Sequence, residues 1–228
     1  MKIEIWSDVM CPFCYVGKKN FDAALAQIPY KDNIVVEWKS FQLDADLDRN
    51  EPTDTKAYFD KKGFSEEQMK AVKVRLNEMG VTHGIQFNEG NVIINTGEAH
   101  RLIQFAKTKG KGDEAEEILF RAYFTDNKNI ADHETLASLG EEIGINKTET
   151  LEMLNSDAFV FDVASDVLDS RNIGVTGVPF FVIDRKYALS GAQPTEYFVS
   201  ALTQAYEKDH LDASTNEGAA CDVDGNNC

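Results

Sequence analysis

The sequence predicts an α/β fold interrupted in its middle by a block of helices. Three observations carry that expectation. A strand, a helix and a second strand follow one another between Lys2 and Trp38. From about Asn50 to Phe161 the apolar residues recur at helical spacing. From Val178 onward, two strand-like runs precede a last helix.

Lys2 to Asp8 sets apolar Ile3 and Ile5 against polar Glu4 and Ser7, a short period-two pattern that predicts a strand. Cys11-Pro12-Phe13-Cys14 opens a helical stretch to about Gln27, with Pro12 suited to the first helical position, where a missing N–H costs nothing. Ile34 to Trp38 reads as the second strand, so a right-handed β-α-β start follows. Ser65 and Gln68 have capping-box spacing ahead of Met69, Val72, Leu76 and Met79. Further helices are expected over Gly97–Lys107, Glu114–Phe124, Leu136–Ile143 behind Asp132, the stretch after Asn146 and Glu149 (a second box), and Ala158–Ser170. Val178 to Ile183 is a buried-strand run, Tyr187 to Ser190 its hairpin partner, and Pro194 starts a helix through Tyr206. The expected division is 1–50 and 161–208 for the two parts of the α/β domain, 51–160 for the helical insertion, and 209–228 for a flexible tail.

Composition excludes several functions. The chain of 228 residues is 43% hydrophobic and 27% charged, as globular proteins are. No apolar run approaches the roughly 20 residues of a membrane-spanning helix. A net charge of −16 opposes binding to phosphate backbones and anionic membrane surfaces. Nucleic acid and membrane are therefore not expected partners. The N-terminus lacks the layout of a secretory signal, and the expected location is the cytoplasm. Four cysteines in so long a chain do not make a disulfide scaffold; in a reducing compartment such pairs are more often catalytic or metal-binding.

The chemistry concentrates at Cys11 and Cys14. Two cysteines three apart on a helix start have Cβ atoms about 5–6 Å apart, and a small adjustment of the first turn brings them within disulfide reach. Cys11 sits at the cap, where free N–H groups and the positive helix end stabilise an anion. Cys14 lies inside the first turn and is more covered. Cys11 is thus expected to attack a substrate disulfide and Cys14 to release the mixed intermediate. The competing reading is half of a zinc site. It needs two further soft ligands, and His83, His100, His133 and His210 show no ligand spacing to the motif. No metal is expected at the site.

Ser7-Asp8-Val9-Met10-Cys11-Pro12-Phe13-Cys14-Tyr15-Val16-Gly17-Lys18 resembles the active-site stretch of the DsbA-like thioredoxin superfamily, in its FrnE-like branch. Phe41-Gln42-Leu43, Ala99-His100-Arg101-Leu102, Gly174 to Phe181 and Leu189 to Gln193 resemble the same branch, in family order, from about residue 1 to 208. The resemblance implies a thioredoxin-like fold with an inserted all-helical domain, and a thiol–disulfide oxidoreductase. It departs at Phe13, where many members of the branch have Trp. The residues alone predict an ordinary trans Pro179 at the first position of a strand. The resemblance implies instead a cis Val178–Pro179 bond facing the dithiol. Pro12, Phe13, Val178 and Pro179 then bind substrate, the exposed backbone of Val178 pairing with an extended segment as an added strand. The expected partners are protein or small-molecule disulfides and thiols. No cofactor is implied, and glutathione enters only as a co-substrate. The insertion offers a homodimer face that no sequence feature demonstrates. The direction of electron flow stays open.

Weaker signals remain. Cys221 and Cys228 close a short acidic loop, read either as a second redox pair exchanging with Cys11 or as two idle thiols. Trp6, Phe13 and Tyr15 either line an apolar substrate groove or pack the core. His100 is expected to be a packed or surface helix residue rather than a catalyst. Two rivals to the oxidoreductase are a glutathione-using transferase or isomerase of related architecture, and a metal-binding or chaperone-like module using all four thiols. The first commonly has Ser where Cys11 stands.

Overall fold

The computed structural model describes residues 1–49, 51–88 and 92–216, with side chains in the last helix described through 208. Four strands form one mixed sheet in the order β2-β1-β3-β4. β1 (Lys2–Ser7) and β2 (Val35–Ser40) run parallel, Lys2 against Val35 and Ser7 against Ser40, joined by α1 (Pro12–Leu25). β3 (Phe180–Ile183) lies antiparallel on the other side of β1, with Ile5 opposite Phe181. β4 (Tyr187–Ser190) completes the edge through a tight turn at Asp184 and Arg185, both at positive φ. β4 matches its expected run and β1 ends one residue short of it. β2 runs two residues past the expected Trp38, and β3 begins at Phe180, two residues later than its sequence run, because the Val178 and Pro179 carbonyls accept from Cys11 and Gly191 instead. β1 is central, and its residues from Ile3 to Ser7 are buried. An α/β thioredoxin-like fold with a helical insertion therefore describes the chain.

Between β2 and β3 come α2 (Thr55–Lys61), α3 (Glu66–Val81), α4 (Gly97–Thr108), α5 (Gly112–Phe124), α6 (His133–Glu142), α7 (Lys147–Leu154) and α8 (Val160–Asn172). Local chemistry starts most of the outer ones. Ser65 and Gln68 make the reciprocal capping box, and Asp132 accepts from the Thr135 N–H. Asn146 caps α7 through the Glu149 N–H, but the Glu149 carboxylate pairs with Lys109 at 2.9 Å rather than closing a box. The expected start of α8 at Ala158 shifts to Val160 because Phe159 takes a left-handed conformation, φ 63°. α2 was not expected from the periodicity. Asp54 caps it, yet none of its residues is buried, so it shows no apolar stripe to read.

Two connections hold the insertion to the sheet. Trp38 of β2 donates to Asp113 at 3.1 Å, and the same carboxylate pairs with buried Lys18 of α1 at 3.1 Å. Arg101 of α4 is buried and spreads over the loop after α7, donating to the carbonyls of Met153, Leu154, Ser156 and Ala158. The last helix, α9 (Thr195–Asn216), packs on α1 and runs past Tyr206 into the segment read as tail. Cys221 and Cys228 lie outside the described residues. Among those residues no helix is long and apolar enough to cross a membrane.

Candidate active site

The end of β1 delivers the site. After Ser7 the chain turns at Asp8, whose carbonyl accepts the Cys11 N–H at 2.9 Å, and α1 starts at once. Cys11 is the N-cap residue, in extended conformation, with Pro12 at the first helical position. No side chain caps this end and no acidic residue occupies its first turn, so its free N–H groups remain an anion-favouring feature. The Cys11 carbonyl accepts from Cys14 N at 3.0 Å, which folds the second cysteine under the first.

Cys11 and Cys14 are free cysteines, not joined to each other in the structure. Cys11 keeps 5% of its surface exposed and Cys14 1%, so the first is the one with an opening to solvent. Burial pushes the Cys14 thiol well above its ordinary pKa, and the neighbouring Cys11 sulfur adds to the effect. Cys14 is therefore a protonated thiol until something draws its proton away.

The opposite wall comes from the other half of the fold. The Val178–Pro179 peptide bond is cis. The Cys11 Sγ donates to the Val178 carbonyl at 3.6 Å, so the dithiol and the Val178–Pro179 step are in contact. The Pro179 carbonyl in turn accepts the Gly191 N–H at 2.8 Å, with Gly191 at φ 82°. A Cβ on Gly17 would stand 2.8 Å from the Pro179 Cγ, so α1 approaches the proline at a position where only glycine fits without a shift. Further along α1, Asn20 donates to the Gln193 carbonyl at 2.8 Å and contacts His83 at 2.6 Å. One residue thus ties α1 to both the β4–α9 loop and the turn after α3.

Of the three aromatic residues flanking the motif, only Phe13 stays partly exposed. Trp6 is fully buried, donating its indole N–H to the Asp166 carbonyl. Tyr15 stacks on Phe120 at 5.1 Å between centroids and meets Phe87 edge-on, which puts it in the core. Phe13 and Val178, both half-buried, flank Cys11 along with Pro12, whereas Pro179 is buried behind them.

Beneath the dithiol lies a group of titratable residues that sequence reasoning missed. Asp8 and His100 are fully buried, and Nε2 of His100 stands 3.4 Å from Oδ1 of Asp8. Asp8 also accepts from the Leu43 N–H at 2.7 Å, which anchors the loop after β2 against the start of the cysteine motif. Glu116 of α5 is 1% exposed, and its Oε2 lacks a hydrogen-bond partner among the described residues, as do both ring nitrogens of His100. Burial raises the Glu116 carboxyl to about 8 despite the nearby His100 and Lys18 charges. Burial pulls His100 down, but Asp8 and Glu116 outweigh it and raise the imidazole above its ordinary value. Three distant segments supply this group, so no local spacing could have announced it; the signal available was the Asp8 and His100 of the two resemblance motifs. Among the described residues no three His, Cys, Asp or Glu side chains converge as a metal site.

The chain is similar to known proteins over most of its length. The DSBA-like thioredoxin domain model matches residues 2–203. The structure of a probable DsbA oxidoreductase from Streptomyces coelicolor superposes with a TM-score of 0.86 at 36% identity, covering 91% of this chain and 90% of that one. An uncharacterized protein of Bacillus subtilis, YwbO, is 29% identical over 210 residues, 90% of this chain and 98% of its own length. The cytosolic disulfide reductase DsbM from Pseudomonas aeruginosa shares the fold, with a TM-score of 0.67 at 16% identity over 90% of this chain and 99% of that one. With strand order, dithiol and sequence match all in agreement, this chain belongs to the DSBA-like thioredoxin domain family.

Proposed function

We propose that the protein is a thiol–disulfide oxidoreductase with Cys11 as nucleophile and Cys14 as resolving thiol. The observation that carries this reading is the pair of free cysteines at the start of α1, with Cys11 Sγ against the Val178 carbonyl and a small opening to solvent only at Cys11. The Cys11 thiolate attacks one sulfur of a substrate disulfide, forming a mixed disulfide and expelling the other half as thiolate. Cys14 then attacks the Cys11 sulfur, its proton passing to the departing thiol. The dithiol loses two electrons and the substrate disulfide gains them; the reverse sequence oxidises a substrate dithiol. Pro12, Phe13 and Val178 form the contact surface with Pro179 buried behind them, and the Val178 backbone supplies polar groups to an extended substrate segment.

The finer reading places the chain in the FrnE-like branch, on the motifs at Phe41, Ala99 and Leu189. Its division is 1–50 with 161–208 for the thioredoxin-like part and 51–160 for the insertion; the position of α2 to α7 between β2 and the start of α8 supports it, with α8 falling to the second thioredoxin-like part. Protein or small-molecule disulfides are its substrates, with glutathione as co-substrate and no resident cofactor. The cytoplasm is its location, and a face of the insertion its dimer contact. Cys221 and Cys228 act as a second redox pair exchanging with Cys11; a double Ser variant with unchanged turnover contradicts that role.

The decisive test of the mechanism is trapping. Cys14→Ser incubated with a model disulfide should accumulate a mixed disulfide at Cys11, identified by peptide mass spectrometry, while Cys11→Ser should be inert. Full turnover by Cys14→Ser would replace the dithiol mechanism with a monothiol one.

A further inference from the structure

Arg75 of α3 is a charged group of the insertion that contacts the cysteine motif through Phe13. Its guanidinium carbon lies 5.9 Å from the centroid of the Phe13 ring, the residue just before Cys14. Arg75 is exposed and Phe13 half-exposed, so the cation stands over the rim of the site and not inside the core. Other cations near the site are already neutralised: Lys18 pairs with Asp22 and Asp113, and Lys19 with Glu117. No carboxylate among the described residues forms an ion pair with Arg75, and its described contact is the Phe13 ring.

Two features therefore point the same way at the mouth of the site, in a chain of net charge −16. One is the guanidinium, without an ion pair among the described residues; the other is the start of α1, uncapped by any side chain and without an acid in its first turn. The helix start favours negative charge at Cys11, and the guanidinium favours it at the rim formed by Phe13. A guanidinium in cation–π contact with an aromatic face keeps its N–H fork free for a carboxylate.

We infer that Arg75 is a specificity-determining residue that receives a carboxylate of a small anionic disulfide of the glutathione type and brings its sulfur to Cys11. The inference rests on the oxidoreductase reading and names the substrate class of that same site. In the half-reaction, the Cys11 thiolate forms a bond to one sulfur of oxidised glutathione and the other half leaves as glutathione thiolate. Cys14 then displaces the second half, so that the dithiol is oxidised by two electrons and one disulfide is reduced to two thiols.

The test is single-turnover oxidation of the reduced full chain by two disulfides: oxidised glutathione, which is anionic, and bis(2-hydroxyethyl) disulfide, which is neutral. For a charge at the rim, Arg75→Ala should slow the reaction with oxidised glutathione about threefold to tenfold and leave the neutral reaction unchanged. Arg75→Glu should slow the anionic reaction further, and Arg75→Lys should recover most of it. Added salt should narrow the gap between wild type and Arg75→Ala, since an exposed pair is screened. Equal loss with both disulfides would overturn the inference, showing that Arg75 acts only by packing on Phe13. No loss with either would overturn it as well. If the wild-type protein is oxidised by neither disulfide, the oxidoreductase reading itself fails; if it is oxidised by both and the variants match it, only the role of Arg75 fails.

Discussion

Gly17 and Pro179 meet where a side chain has no room: a methyl group at Gly17 would stand 2.8 Å from the Pro179 Cγ and 3.6 Å from the Ala192 Cα. Gly17 lies on α1 one turn beyond Cys14, and Pro179 follows the residue whose carbonyl accepts from Cys11. The two halves of the thioredoxin-like fold, far apart in sequence, thus close against each other at a single bare position beside the dithiol.

Gly17→Ala should accordingly push α1 away from the Pro179 ring. Overpacking of this kind costs about 1–3 kcal/mol. The expected outcome is a lower unfolding midpoint together with a slower Cys11 reaction toward a model disulfide, read by denaturant titration and by stopped-flow oxidation. Unchanged stability and rate would mean that the proline loop yields freely and does not position the dithiol.

The buried His100 and Glu116 make a pH prediction with a definite sign. Glu116 has its folded pKa raised from 4.5 to about 8 by burial. Its proton is therefore bound more tightly in the folded than in the unfolded chain. The stability this contributes is complete below pH 4.5 and is lost as pH rises through about 8. His100, also raised, adds a loss of the same sign above its ordinary value of 6.5. Glu37 acts oppositely: Lys2, Lys39 and Lys107 overcome its burial and lower it to about 2, so its contribution fades only in acid, below 4.5. Urea unfolding of wild type and Glu116→Gln across this range isolates the Glu116 part. The wild type should lose more stability than the variant as pH rises; parallel curves would show that Glu116 is ionised in the folded chain.

Arg101 offers a purely structural counterpart. Its guanidinium serves the carbonyls of Met153, Leu154, Ser156 and Ala158 and pairs with Glu98 at 2.6 Å. Arg101→Ala strands these acceptors at the end of α7 and should destabilise the chain by about 2–4 kcal/mol. Hydrogen exchange should place the loosening in the segment 153–158 before it reaches α1. A uniform change, or none, would show that water replaces the arginine without loss.

Much of the fold was legible because its signals are local. Pro12 after Cys11, the Ser65–Gln68 box and the caps at Asp132 and Asn146 each involve residues within one helical turn, where sequence spacing fixes geometry. The strand run at Phe180 is legible for a related reason: a sheet buried on both faces needs a continuous apolar run. α2 escaped because it buries none of its residues, and its cap at Asp54 had no stripe beside it. At the site, the two cysteines announce themselves by their spacing, whereas the Asp8–His100 and Arg75–Phe13 contacts join residues distant in sequence. Only the folded chain brings those pairs together. The sequence leaves Trp6 open between groove and core, and the fold decides for the core: its indole N–H reaches the Asp166 carbonyl, a partner 160 residues away.

The central claim, that Cys11 and Cys14 form one redox couple, is tested most directly by equilibrating the purified protein with mixtures of reduced and oxidised glutathione. After acid quenching, mass spectrometry assigns the state of each cysteine. The account predicts a reversible two-electron couple in which Cys11 and Cys14 convert together between dithiol and disulfide, at a potential that then fixes the direction of electron flow. Thiols that remain reduced at every glutathione ratio, or that prove to be occupied by a metal ion, would contradict it.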